Sequence, residues 1–344
     1  MKFRRLYVEE YVIDRVGYPI SELVNESVIN KEPVIIGHYK DIFSRSNQDL
    51  DLQRQYPSLI LAAKRPPVLF TASRRCSARG CSDGDHGHHR GQYYALPMMN
   101  CPMECEYCFL RGMYPTGNIV YFMNFSEVFP LLKKALYEKG VRTLAISYES
   151  DILALDRILH CLEPWLEFAR EVPETLFEVR TKAGSGMLQG IENISPVDNV
   201  VLAWTISPRE VIDSFEKRTP SLGARIQAIR WAIEKGWRVR LCIDPILFIE
   251  SWEDLYGKAI SEVFAMIDPG EVEEVHLGVF RMGRGHLKRA RKRYPGSQLL
   301  HYPYVPRGNT FTYPMETAEM LTGKIEEILM DYLPHRKIRL IGGW

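Results

Sequence analysis

From Tyr93 onward, short runs rich in β-branched and aromatic residues alternate with runs of helical length, and this alternation limits the chain to a few architectures. Strands are expected over residues 95–99, 142–148, 175–180, 200–206, 238–246 and 275–280. Between them, residues 125–139, 152–170, 223–235 and 252–267 repeat apolar side chains at spacings of three and four, the period of a helix with one buried face. Buried parallel strands joined by crossover helices satisfy that pattern. Six such units make an incomplete β/α barrel, although a doubly wound sheet uses the same crossovers. Residues 315–332 read as a final helix and 337–341 as a last strand or tail.

Ahead of the alternation the pattern weakens. Residues 1–65 show no clear period, 68–71 read as a short strand, and 73–91 have the Arg, Gly, Asp and His content of a loop. The expected organisation is an α/β chain with an N-terminal extension and Cys/His-rich loop over residues 1–92, then one catalytic domain over 93–344. With 44 Lys and Arg against 43 Asp and Glu, the formal charge of +1 excludes a uniformly cationic nucleic-acid binder. No run approaches a membrane span, and the amino terminus lacks the apolar core of a signal peptide. Seven cysteines, an odd number in a chain of 344 residues, fit a reducing cytoplasm better than a disulfide framework.

Three of those cysteines carry the clearest chemistry. Cys101, Cys105 and Cys108 lie within eight residues, just after an expected strand. Three soft thiolates can hold three corners of a 4Fe-4S cubane, which leaves the fourth iron open to a small chelating molecule. A zinc site is the competing reading, but zinc ordinarily closes its tetrahedron with a fourth protein ligand.

The CxxxCxxC spacing in this context resembles the radical S-adenosylmethionine (SAM) superfamily. That resemblance implies a partial (β/α)6 TIM-type barrel in which SAM chelates the open iron, is reduced by one electron and yields a 5′-deoxyadenosyl radical. Tyr107 matches the superfamily habit of placing a ring beside the adenine. The electron donor would be a flavodoxin or ferredoxin.

Several ordered segments narrow the likeness: Ser46-Asn47-Gln48, Tyr94 to Leu110, Ile119 to Asn124, Ser150-Asp151-Ile152, Arg180-Thr181-Lys182, Trp204 to Ile212, Phe215-Glu216, Arg225 to Gly236, and Arg291 to Pro295. Together they resemble the spore photoproduct lyase family, whose members revert 5-thyminyl-5,6-dihydrothymine in DNA to two thymines. The resemblance implies that Tyr107, Ser150, Lys182, Thr205 and Ser207 belong to the SAM site. Two positions depart from the family. Tyr148 stands where the family has the cysteine that returns a hydrogen atom, and Phe109 stands where it has a tyrosine of the hydrogen relay. Tyr148 and Tyr107 are the candidate catalytic residues: either Tyr148 itself donates the hydrogen, or another cysteine folds in, or the chain runs a different radical reaction on a related substrate. Cys161 and Cys242 read as buried packing thiols.

Two further features stand outside the motif. Cys76, Cys81, His86, His88 and His89 fall within fourteen residues, a composition able to bind a second metal but equally that of a solvated loop. Residues 281–294 hold seven Lys or Arg in fourteen positions. Arg281, Lys288, Arg289, Arg291, Lys292 and Arg293, with Tyr294 to stack, form a candidate DNA surface, unless the run is only a solvated helix face. The expected function is radical SAM repair of a thymine photoproduct. The alternatives are radical chemistry on another nucleobase, nucleotide or small molecule, and a non-catalytic Fe-S protein that binds nucleic acid.

Overall fold

The structure, a computed structural model, describes residues 2–13, 28–72 and 93–342. The strands Tyr93–Tyr94, Thr143–Ala145, Leu176–Thr181, Val200–Thr205, Arg238–Ile246, Val272–Val279 and Ile338–Leu340 run parallel in one sheet. Each lies beside the next of these in chain order, and the order never reverses. A doubly wound sheet reverses at a switch point, so this sheet is instead a partial TIM-type barrel, wound in a single direction. Phe70–Thr71 adds an antiparallel strand at its edge.

Burial explains why these segments are strands. Every residue of Val200–Thr205 is buried, as expected for a central parallel strand covered on both faces. In the neighbouring strands the faces differ. Phe177, Val179, Leu241 and Ile243 join the apolar core, whereas Glu178, Arg180, Arg240 and Asp244 pair with one another, both along and between strands. The covering helices Phe125–Lys139, Leu222–Glu234, Trp252–Phe264 and Met315–Met330 follow the expected periods.

Other expectations need correction. Residues 152–170 are two helices, Leu153–Leu159 and Glu163–Arg170, because His160 adopts a left-handed φ of 44° and Pro164 opens the second helix. Asp156 fixes the break by accepting the Leu162 N–H at 2.7 Å and the Cys161 thiol at 3.4 Å. Residues 95–99 are not one barrel strand. Tyr93–Tyr94 lie in the barrel sheet, but Met98–Met99 pair antiparallel with Ile119–Phe122 in a second sheet. Pro97, which lacks an N–H for the ladder, sits between them.

That second sheet also absorbs the segment expected to be irregular. Its order is Val28–Ile36, Phe3–Glu9, Leu59–Ala62, Ile119–Phe122, Met98–Met99, parallel except for the last pair. The period-two signal was masked because Leu59–Ala62 is buried throughout and the register of Phe3–Glu9 shifts between Arg5 and Tyr7. Among the described residues, no helix is long and apolar enough to cross a membrane. Cys76, Cys81, His86, His88 and His89 lie outside the described residues.

Candidate active site at the open end of the barrel

Asn100 builds the cysteine loop. It takes a left-handed φ of 72°, which asparagine tolerates better than most residues. Its buried Nδ2 donates to the carbonyls of Thr116 at 2.8 Å and Asn118 at 3.0 Å, while its Oδ1 accepts the Cys101 N–H at 3.0 Å. Cys105 lies in the short strand Glu104–Cys105, antiparallel to Glu216–Lys217, and the Cys108 N–H donates to the Cys105 carbonyl at 3.1 Å. The charge of Cys108 acts on Cys101, and those of Cys101 and Cys108 act on Cys105. Burial pushes the Cys101 thiol up to about 12 and raises Cys105 as well, so binding a metal would release protons. Among the described residues, no three His, Cys, Asp or Glu side chains surround a single ion. A cubane gives each thiolate its own iron and suits three soft donors with one corner left open.

A buried carboxylate organises the neighbouring wall. Glu216 accepts hydrogen bonds from the Tyr107 hydroxyl, from the Ser207 hydroxyl at 2.7 Å and from the Arg225 guanidinium. Arg225 is fully buried and also donates to the Thr205 carbonyl at 3.0 Å. Burial alone would raise Glu216, but the charges of Lys182 and Arg225 bring it below its ordinary value. Burial would likewise depress Lys182, yet Cys105 and Glu216 hold it above its ordinary value. The Lys182 Nζ lies 5.5 Å from the centre of the Tyr107 ring. Tyr107 and Ser207 therefore meet on one carboxylate, with Lys182 acting on it by charge and Thr205 reached through Arg225.

Ser150 belongs to the adjoining loop, where its hydroxyl lies 3.7 Å from the Met98 sulfur. Next to it, Asp151 accepts the Thr181 hydroxyl at 2.8 Å and the Lys182 N–H at 2.7 Å, which locks the two strand ends together. Tyr148 stacks on Tyr94 with ring centres 4.4 Å apart and packs against Phe109 at 5.4 Å. Buried Glu149 accepts the hydroxyls of Tyr94, at 3.1 Å, and Tyr114. Burial raises Glu149, opposed by these two hydrogen bonds and by Lys64, whose own value burial lowers to about 8.

The basic run is divided between packing and solvent. Arg281 grips Asp244 through two hydrogen bonds, of 2.8 and 3.0 Å, opposite Arg180. Gly278 makes room for this pair, since a Cβ there would lie 2.5 Å from the Asp244 carboxylate. In the helix Arg284–Arg293, Arg289 donates to the Gly112 carbonyl, and Arg293 donates to the carbonyls of Arg111 and, at 2.8 Å, Tyr114. Arg291 donates to the carbonyls of Leu300 and Tyr302, and the Tyr294 hydroxyl accepts from Arg54 at 2.8 Å. Lys288 and Lys292 are exposed. Gly112 allows the close approach, because a Cβ there would fall on the backbone of His286.

The Tyr148, Lys182, Thr205 and Arg281 segments all follow the C-terminal ends of barrel strands, the end at which barrel enzymes place their chemistry. The model of the spore photoproduct lyase family matches residues 88–341. The chain belongs to the spore photoproduct lyase family. Curated family members similar to it include spore photoproduct lyase of Geobacillus sp. (strain Y412MC61), 24% identical over 60% of this chain and 62% of that protein. Spore photoproduct lyase of Clostridium acetobutylicum is 22% identical over 52% of this chain and 54% of its own length. The alignments thus span less than two thirds of either relative. Similar solved structures include spore photoproduct lyase complexed with dinucleoside spore photoproduct, with a TM-score of 0.76 and 18% identity over 98% of both chains. A mutant of that enzyme with bound AdoMet and dinucleoside spore photoproduct gives 0.75 and 19% over 99% of both.

Glu216, Arg225, Asp151, Tyr94, Glu149 and Asp244 were not anticipated as site residues. The family-like segments Tyr94 to Leu110, Ser150-Asp151-Ile152, Phe215-Glu216 and Arg225 to Gly236 contained the signal for four of them, but no local pattern assigned them a partner.

Proposed function

We propose that this chain holds a 4Fe-4S cluster on Cys101, Cys105 and Cys108, binds SAM beside it, and reverts the thymine photoproduct in DNA to two thymines. The observation that carries the reading is the meeting of three coupled thiols with the Lys182, Glu216 and Arg225 charges at the open rim of a family barrel. When bound, the cluster and SAM supply a one-electron cleavage that generates a hydrogen-abstracting carbon radical. The protein's part is placement and exclusion. Tyr107 offers a ring wall, fixed through its hydroxyl by Glu216. Lys182 supplies a positive charge beside Cys105, and Ser150, Thr205 and Ser207 line the adjoining strand ends. Tyr148, held by stacking on Tyr94, is the residue we assign to hydrogen return. Exposed Lys288 and Lys292 are available to DNA phosphates, and Arg281, Arg289, Arg291 and Arg293 hold the element that presents them. A cytoplasmic flavodoxin or ferredoxin would supply the electron.

The test is an anaerobic assay of the reconstituted protein with SAM, reductant and an oligonucleotide carrying the spore photoproduct, following 5′-deoxyadenosine and restored thymine by mass spectrometry. Restored thymine is expected. Release of 5′-deoxyadenosine without repair would transfer the radical chemistry to another substrate. Tyr148→Phe should keep 5′-deoxyadenosine formation while lowering the thymine yield, and an unchanged product distribution would remove Tyr148 from the reaction.

A further inference from the structure

Arg111 lies three residues beyond the last cluster cysteine and is only 3% exposed. A buried guanidinium normally finds a carboxylate, because an unpaired charge in the interior is costly. Arg111 has none within ion-pair reach among the described residues. Its one side-chain hydrogen bond is a long contact of 3.5 Å from Nη2 to Asn100 Oδ1, and its buried Nε has no partner. The surroundings deepen the imbalance. Arg293 is depressed to about 10 by burial and by the positive charges of Arg54, Arg111 and Arg289. Geometry ties Arg111 to the cysteine loop: Asn100 Oδ1 accepts both its Nη2 and the Cys101 N–H, its own backbone N–H donates to the Cys108 carbonyl at 2.9 Å, and its charge favours the Cys101 thiolate.

We propose that Arg111 is a positioning residue for the cluster: its buried guanidinium, joined to Cys101 through Asn100, would offer its charge and spare N–H donors to the anionic thiolate and sulfide shell and ease its reduction. This inference rests on the cluster reading given under Proposed function. Three thiolates around a cubane leave the assembly net negative, so a nearby buried cation favours the form that carries one more electron. Hydrogen bonds to cluster sulfur and local charge are established levers on such potentials. Loading the cluster would also compensate a charge that the described residues otherwise leave without a counter-charge. Arg111 therefore has opposite effects on the two forms of the protein, destabilising without the cluster and favourable with it.

The experiment is an EPR-monitored redox titration of the reconstituted full-length protein, comparing wild type with Arg111→Met and Arg111→Gln. Both variants remove the charge, and the glutamine retains a hydrogen-bond donor. Arg111→Met should lower the equilibrium constant for one-electron reduction about tenfold, a shift of about 59 mV to more negative potential, with Arg111→Gln between it and wild type. Should the methionine variant hold too little cluster to titrate, the glutamine variant supplies the measurement. In the cluster-free protein, Arg111→Met should raise the unfolding midpoint, an effect that loss of an ordinary packing contact would not produce. Unchanged potentials in both variants, or a less stable cluster-free Arg111→Met protein, would overturn the proposal. Absence of any cluster signal in wild type would instead defeat the underlying cluster reading.

Discussion

At the scale of single residues, the site is governed by charges that cannot reach water. Glu216 and Arg225 are both fully buried, and Lys182 approaches the same carboxylate, so each group is tolerable only because the others are present. Replacing Glu216 with Gln keeps the shape but leaves Arg225 without its counter-charge. Equilibrium urea unfolding of Glu216→Gln should show a loss of about 3 kcal/mol, the usual cost of breaking such a pair. The cysteines and the carboxylate differ in how visible they are in the sequence. Three thiols within eight positions announce soft-metal chemistry by themselves. Glu216 sits between Phe215 and Lys217, much like any surface glutamate, and its hydrogen-bond partner Tyr107 is 109 residues away. Burial of a lone carboxylate is a property of the folded contact, and no local period records it.

At the scale of elements, strand ends are tied to one another by side chains rather than by the ladder alone. Asp244, on the strand Arg238–Ile246, joins Arg180, two strands away across Val200–Thr205, to Arg281 just beyond the neighbour on the other side. Burial would raise Asp244, but Arg281 and Arg180 bring it down from 3.8 to about 2. A folded-state value below the unfolded one gives stability that is complete above about pH 4 and is lost as the pH falls toward 2. That contribution is about 2 kcal/mol, so denaturation curves of Asp244→Asn should be less stable at neutral pH and show a shallower acid limb. The helix Arg284–Arg293 illustrates a different limit. Its basic run reads as a single patch in sequence, yet Arg289, Arg291 and Arg293 turn to carbonyls while Lys288 and Lys292 face solvent. Lys288→Ala with Lys292→Ala should reduce the slope of log binding constant against log salt by about 2 for duplex DNA, with cluster content unchanged.

At the scale of the whole molecule, alternation of strand and helix was legible because parallel strands buried on both faces need continuous apolar runs. The second sheet was not, since its first three strands come from a segment with a shifted register and no period, and its last two interrupt the barrel sequence. Among the described residues, the barrel sheet ends at Phe70–Thr71 on one side and Ile338–Leu340 on the other, with no pairing between them. Edge ladders open at lower cost than central ones. Hydrogen exchange should therefore be faster in Ile338–Leu340 than in Val200–Thr205, and equal protection of the two would argue for a closed ring. The missing seam also matters for maturation. On the function proposed above, a cluster and a nucleoside-sized cofactor loaded between these edges would leave every central ladder intact, so loading would follow folding and not template it.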